Sequence, residues 1–292
     1  MFDNLKRINV KSVLSESKPC LVIEPAVVDH CNLNCAYCDH LTPLADKGFY
    51  DIKQFEKDFK ILSKVLQSKE ILDKYRIVFQ IVGGEPFLHP NLLDFIDIIF
   101  DNFDEENIYQ ISIMTNCTLF KQRKDLSYKY RTNIAKYSKL GFIKSHYLPF
   151  DTDILKRDYE EFIGCRLKSL QFEDHPTFDK VNLNFDSTEY PIFCPCNSMY
   201  MRDGKLCRCP IIGNAKFLLK RMNLPEVLLS EEDYLKIDGT LTPKGLIDFH
   251  EYLSPFCRYC TPRNNGLNWR YSDFDVREWV DENYINNMRN KN

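Results

Sequence analysis

The chain has 292 residues, 44% of them hydrophobic, and a net charge of −3 from 39 basic and 42 acidic side chains. That length gives one large domain, or a catalytic domain with a small appendage, and the mixed, near-neutral charge argues against nucleic acid or an anionic membrane as partner. No apolar run reaches the roughly 18 residues of a spanning helix, and Met1-Phe-Asp-Asn-Leu-Lys-Arg lacks the apolar core of a signal peptide, so a cytoplasmic protein is expected.

Residues 21–29 are apolar and β-branched, the pattern of a buried strand. They deliver Cys31-Asn-Leu-Asn-Cys35-Ala-Tyr-Cys38 onto the loop that follows. Asp51 with Gln54 fits an N-cap ahead of Ile52, Phe55, Phe59, Leu62 and Leu66, one apolar face of a helix. A second strand, 76–82, breaks at Gly83-Gly84-Glu85-Pro86. Pro90 opens a second helix with Leu92, Phe95, Ile96, Ile99 and Phe103 inward. A third strand, 108–114, ends at Thr115-Asn116-Cys117. Helical spacing follows over 124–140, a fourth strand over 142–147, a helix over 153–163 and a fifth strand over 166–172. This alternation predicts an α/β fold with a parallel sheet or partial barrel and helices outside. After about 180 the pattern changes. Asp203-Gly204 is a hairpin turn between 198–202 and 205–209, and a final helix is expected between Ser272 and about 288, carrying Phe274, Trp279 and Val280.

The twelve cysteines are uneven: a triad at 31, 35 and 38, then a late group at 194, 196, 207, 209, 257 and 260. In a cytosolic chain this points to metal or catalysis rather than disulfides. A cubane iron–sulfur cluster takes four thiolates. Three close cysteines leave one iron open for a small molecule, like the open position of a catalytic metal site. Zinc is the competing occupant, with His30 or His40 as a fourth ligand. Cys20, Cys117 and Cys165 stand alone and read as small buried hydrophobes. The basic stretch Lys121–Lys124 with Lys129 and Arg131 reads as a solvated face.

C-x3-C-x2-C with an aromatic before the last cysteine, followed by Gly83-Gly84-Glu85 at the end of the second strand, resembles the radical S-adenosylmethionine (radical SAM) superfamily. The resemblance implies a partial (β/α)6 barrel over 1–185. Cys31, Cys35 and Cys38 would bind a [4Fe-4S] cluster whose open iron chelates SAM. Gly83, Gly84 and Glu85 would meet the methionine ammonium and Tyr37 would lie near the adenine. Asn116 and Ser145 would be further SAM neighbours. The implied chemistry is reductive cleavage of SAM to a 5'-deoxyadenosyl radical that abstracts hydrogen from a small-molecule substrate, fed by an electron donor such as flavodoxin or ferredoxin. Cys194, nine residues, Gly204, four residues and Cys209, then Cys257-x2-Cys260, resemble the shortened SPASM domain called Twitch, over 186–265. Those four cysteines would hold a second, auxiliary [4Fe-4S] cluster, with Cys196 a rival for Cys194 and Cys207 a weaker rival; zinc also suits four thiolates. Residues 266–292 would be a docking helix. Cys117 departs from the family, which carries glycine there.

Within the superfamily, Gly-Gly-Glu-Pro-Phe-Leu-His-Pro and Pro-Phe-Cys-Arg-Tyr-Cys resemble bacterial members found beside polysaccharide-assembly enzymes. That implies oxidation or epimerisation of a sugar or nucleotide-sugar. A peptide-modifying maturase and a zinc-stabilised binding protein are the alternatives.

Overall fold

The computed structural model describes residues 18–291 except 148–149, 166–172, 175–176, 192–193, 195 and 197. The first apolar run forms β1 (Cys20–Pro25). Leu21 and Ile23 are buried in the main core, while Val22 and Glu24 face a cavity on the other side. The strand stops short of residue 29. Beyond Pro25 the backbone divides its hydrogen bonds between Met201, Val82 and Gly48, so no one neighbour continues the ladder.

α1 (Ile52–Leu66) starts where Asp51 accepts the Gln54 N–H. It lays Phe55, Phe59, Leu62 and Leu66 fully buried into the main core. The chain then alternates through α2 (Lys69–Lys74), β2 (Arg76–Ile81), α3 (Leu92–Asn102), β3 (Ile108–Thr115), α4 (Lys124–Thr132), β4 (Leu140–His146), α5 (Thr152–Ile163) and β5 (Glu173–Asp174). α4 ends eight residues earlier than its spacing predicts. The Thr132 hydroxyl and the Asn133 amide bond the last-turn carbonyls of Tyr128 and Lys129, and such side-chain competition closes helices. The expected strand 166–172 lies outside the described residues.

The second half supplies β6 (Thr177–Leu183), β7 (Ser198–Arg202), β8 (Lys205–Cys207), α6 (Pro210–Met222), β9 (Leu235–Lys236), α7 (Pro243–Glu251), β10 (Cys260–Asn268) and α8 (Glu282–Lys291). Asp203 and Gly204 both have positive φ, +48° and +74°, as a two-residue hairpin turn requires. The main sheet is eight-stranded, in the order β5-β4-β3-β2-β1-β7-β8-β9. All pairs from β5 to β7 are parallel, and β8 and β9 add antiparallel. The sheet therefore takes in the hairpin from the segment 186–265, with Val22 opposite Ser198. β6 and β10 form a separate antiparallel pair. A second core, with Tyr200, Ile212, Leu218, Phe256 and Trp279, packs under α6 and the C-terminal segment. No helix among the described residues is long and apolar enough to cross a membrane.

Candidate active site

The loop after β1 carries the first three cysteines through strained backbone. Asn34, Tyr37 and Leu41 have φ of +50°, +63° and +53°, a region that costs non-glycine residues energy. Contacts from far along the chain hold it. Gly84 N–H donates to Val28 O at 2.8 Å and Glu85 N–H to His30 O at 3.1 Å. Ala36 N–H donates to Arg270 O, Ser272 N–H to Asn34 O, and the Trp279 indole to Cys38 O at 2.8 Å. Each sulfur also faces a donor. Cys31 Sγ accepts from Leu33 N–H and the Asn116 amide, at 3.4 and 3.6 Å. Cys35 Sγ accepts from the Trp269 indole at 3.2 Å. Cys38 Sγ lies 3.6 Å from Thr42 Oγ1. Burial pushes the thiols up, Cys31 to about 12, so loading a metal must displace their protons. Among the described residues no three His, Cys, Asp or Glu side chains converge as a site for one metal ion. A cubane asks only one thiolate per iron, and the donors aimed at these sulfurs suit thiolate ligands. The three cysteines thus fit such a cluster.

All three line a cavity of about 440 Å³, together with Gly83, Gly84, Glu85, Asn116 and Ser145. The glycines serve the cysteine loop first. A Cβ on Gly83 would stand 2.4 Å from Val28 O, and one on Gly84 1.9 Å from His30 O. Only glycine lets β2 end against that loop. Glu85 is buried and spends both oxygens on protein donors: Oε1 accepts from Phe87 N–H and Thr115 Oγ1, Oε2 from Asn116 N–H. Burial pushes its carboxyl up to about 7 against those hydrogen bonds. Tyr37, expected near the adenine, does not line this cavity. Its left-handed φ turns the ring outward under the Arg270 guanidinium, 5.2 Å from the ring centre. Cys117 has φ +66° and is buried in the main core, so the position where the family carries glycine does hold a left-handed backbone, with the side chain turned from the cavity.

The late cysteines gather in the second core. Cys209 precedes α6 and Cys257 lies in the short helical turn 255–259; both are buried. Cys196 shares hydrogen bonds with both Cys194 and Cys209 and also lines the main cavity. It is thus a neighbour of both, not only a rival of one. Cys260 opens β10. Cys207 turns into the core instead, donating to Tyr200 O and Cys209 O. The buried Arg208 guanidinium donates to Tyr252 O and Cys196 O, and its charge favours the thiolates of Cys194 and Cys257. A buried cation acting on two of these thiols suits a negatively charged cluster.

Two residues of the basic stretch make structural contacts. Arg123 donates to the carbonyls of Phe87, His89 and Pro90 and pairs with Asp125, and Lys129 pairs with Asp94 and Asp97. Sequence reasoning missed Trp269, Thr42 and Glu24. Trp269 and Thr42 leave no local signal, but an acid inside the apolar run of β1 was one.

No family profile matches the chain. It is 30% identical over 116 residues to the antilisterial bacteriocin subtilosin biosynthesis protein AlbA of Bacillus subtilis, covering 39% of this chain and 23% of AlbA. It is 24% identical over 254 residues to the GTP 3',8-cyclase of Clostridium botulinum (strain Hall), covering 82% of this chain and 75% of the cyclase. A solved structure, histidine-tagged anSMEcpe with bound AdoMet, aligns over 50% of this chain and 41% of that one, with 21% identity and a TM-score of 0.33. The matched stretches span 30% and 23% of the length of the first curated relatives. Kinship with AlbA and with GTP 3',8-cyclase supports the radical SAM superfamily for this chain.

Proposed function

We propose that the chain is a radical SAM enzyme acting on a small polar substrate. The observation that carries this reading is the meeting, on one cavity, of Cys31, Cys35 and Cys38 with Gly83, Gly84, Glu85, Asn116 and Ser145. Cys31, Cys35 and Cys38 would hold a [4Fe-4S] cluster which, given one electron by an external donor, would supply the reductive cleavage of the SAM C5'–S bond to methionine and a 5'-deoxyadenosyl radical able to take hydrogen from the substrate. Glu85, its oxygens already engaged, holds the ends of β2 and β3 together, leaving the Gly83-Gly84 backbone to receive the methionine ammonium. Asn116 and Ser145 contact SAM from the ends of β3 and β4. Tyr37 supports the loop through Arg270. The parallel strands serve as a partial barrel, and Cys194 or Cys196 with Cys209, Cys257 and Cys260 forms a Twitch-like site for an auxiliary cluster.

Kinship with AlbA, a protein of bacteriocin biosynthesis, favours peptide modification as the second reading. Iron and sulfide per chain after anaerobic purification test the proposal, alongside 5'-deoxyadenosine formed from SAM and dithionite. Two clusters give about eight irons, falling to about four when Cys31, Cys35 and Cys38 are all alanine. Deoxyadenosine should vanish in that variant. Zinc at both sites in protein kept from oxygen would rule the reading out.

A further inference from the structure

Glu24 is the penultimate residue of β1, a strand paired on both sides, where charged side chains are rare. It faces the cavity rather than the core, on the same wall as Gln80 of β2 and Ser198 of β7. Ser198 gives its carboxylate a side-chain hydrogen bond, and burial is the main cause that pushes the group up to about 7, with the Asp39 charge adding to it. Its Oε2 is buried with no hydrogen-bond partner among the described residues. A buried acceptor left without a donor costs free energy, and neither the cysteine loop nor the Gly-Gly-Glu turn uses this one. The cavity around it is acidic: Asp39 and Glu85 line it with Glu24, and no Lys or Arg does among the described residues. Phosphates and carboxylates meet no counter-charge there, whereas a cation does.

We propose that Glu24 anchors the substrate and that the group it takes is a primary ammonium, so that the substrate is a small amine. This rests on the radical SAM reading for the reaction, but the binding it predicts can be measured without turnover. An ammonium supplies Oε2 with a charge-assisted donor and offsets the acidity of the cavity. The nucleotide-sugar expected from sequence becomes the disfavoured class, since its diphosphate would face Glu24 and Asp39.

The test is equilibrium dialysis of three probes of matched size, 2-amino-1,3-propanediol, glycerol and glycerate, against anaerobic holoprotein with SAM. Wild type should retain the amine and discriminate against the other two. Glu24→Gln, which keeps the shape and removes the charge, should bind the amine about tenfold more weakly. Equal affinity for the three probes, amine binding that survives Glu24→Gln, or no amine binding by wild type each overturns the assignment. Iron, sulfide and bound SAM, measured on the same wild-type samples, judge the radical SAM reading separately. A protein that lacks iron but discriminates between the probes keeps the amine site and loses the reaction.

Discussion

Gly84 and Glu85, expected from the sequence to meet a ligand, both also hold the protein's own backbone in place at the end of β2. Gly84 has no room for a Cβ because His30 O would be 1.9 Å away. Gly84→Ala must push the cysteine loop off the end of β2, and on the proposed two-cluster reading the variant should lose the iron of the first site while the second keeps its own. Iron analysis of the variant set against the triple-cysteine variant checks this, and full iron content would show that the loop yields. Glu85→Ala leaves Phe87 N–H, Asn116 N–H and the Thr115 hydroxyl buried without their acceptor. The expected loss is about 3 kcal/mol of stability, read by urea unfolding of the apoprotein. Glu85→Gln, which keeps an acceptor oxygen, should lose less. The triad and the glycines were legible in sequence because their spacing is local. The three partners of Glu85 were not: two of them come from β3 and its end, about thirty residues away, and no pattern in the sequence announces a carboxylate bridging two strand ends.

At the scale of elements, the segment 269–272 pairs with the cysteine loop through Ala36, Asn34 and Cys35, and both tryptophans of the chain reach that loop. Trp269 lies in the segment 266–292 expected to be a docking helix, and 234 positions separate it from Cys35. Only the fold brings them together. An N–H aimed at a ligating sulfur stabilises the added negative charge of a reduced cluster. Trp269→Phe keeps the ring and removes the donor to Cys35 Sγ, so the cluster proposed for Cys31, Cys35 and Cys38 should become harder to reduce. One hydrogen bond worth about 1 kcal/mol corresponds to roughly 40 mV for one electron. Potentiometric titration followed by electron paramagnetic resonance measures that shift. An unchanged potential in a variant with full iron would mean that the indole only packs.

At the scale of the molecule, the sequence told strand from helix over most of 20–163, but not which edge of the sheet a later strand would join. The hairpin at 198–207 was legible as a hairpin from Asp203-Gly204. Its parallel pairing with β1 was not, since strand alternation carries no information about the partner. That pairing lets one sheet serve two cores, and it brings Val22 and Gln80 from the first half of the chain and Cys196 and Pro210 from the second onto one cavity.

The C-terminal segment belongs to this arrangement more deeply than a docking helix would. Trp279 and Val280 are fully buried and Tyr284 and Ile285 nearly so, all in the second core. Leu183 N–H donates to Trp279 O, and Asp281 N–H to Leu183 O. Four such side chains, at about 1.5–3 kcal/mol each, approach the roughly 5–15 kcal/mol by which a whole domain is stable. Truncation after Asn268 should therefore prevent folding of the entire chain, not merely uncover the first cluster. Circular dichroism and limited proteolysis of the truncated apoprotein test this. A protease-resistant main core with native helix content would show instead that β1 to β5 and their helices fold without the tail, and would make the strap at 269–272 a separable cover over an independently stable sheet.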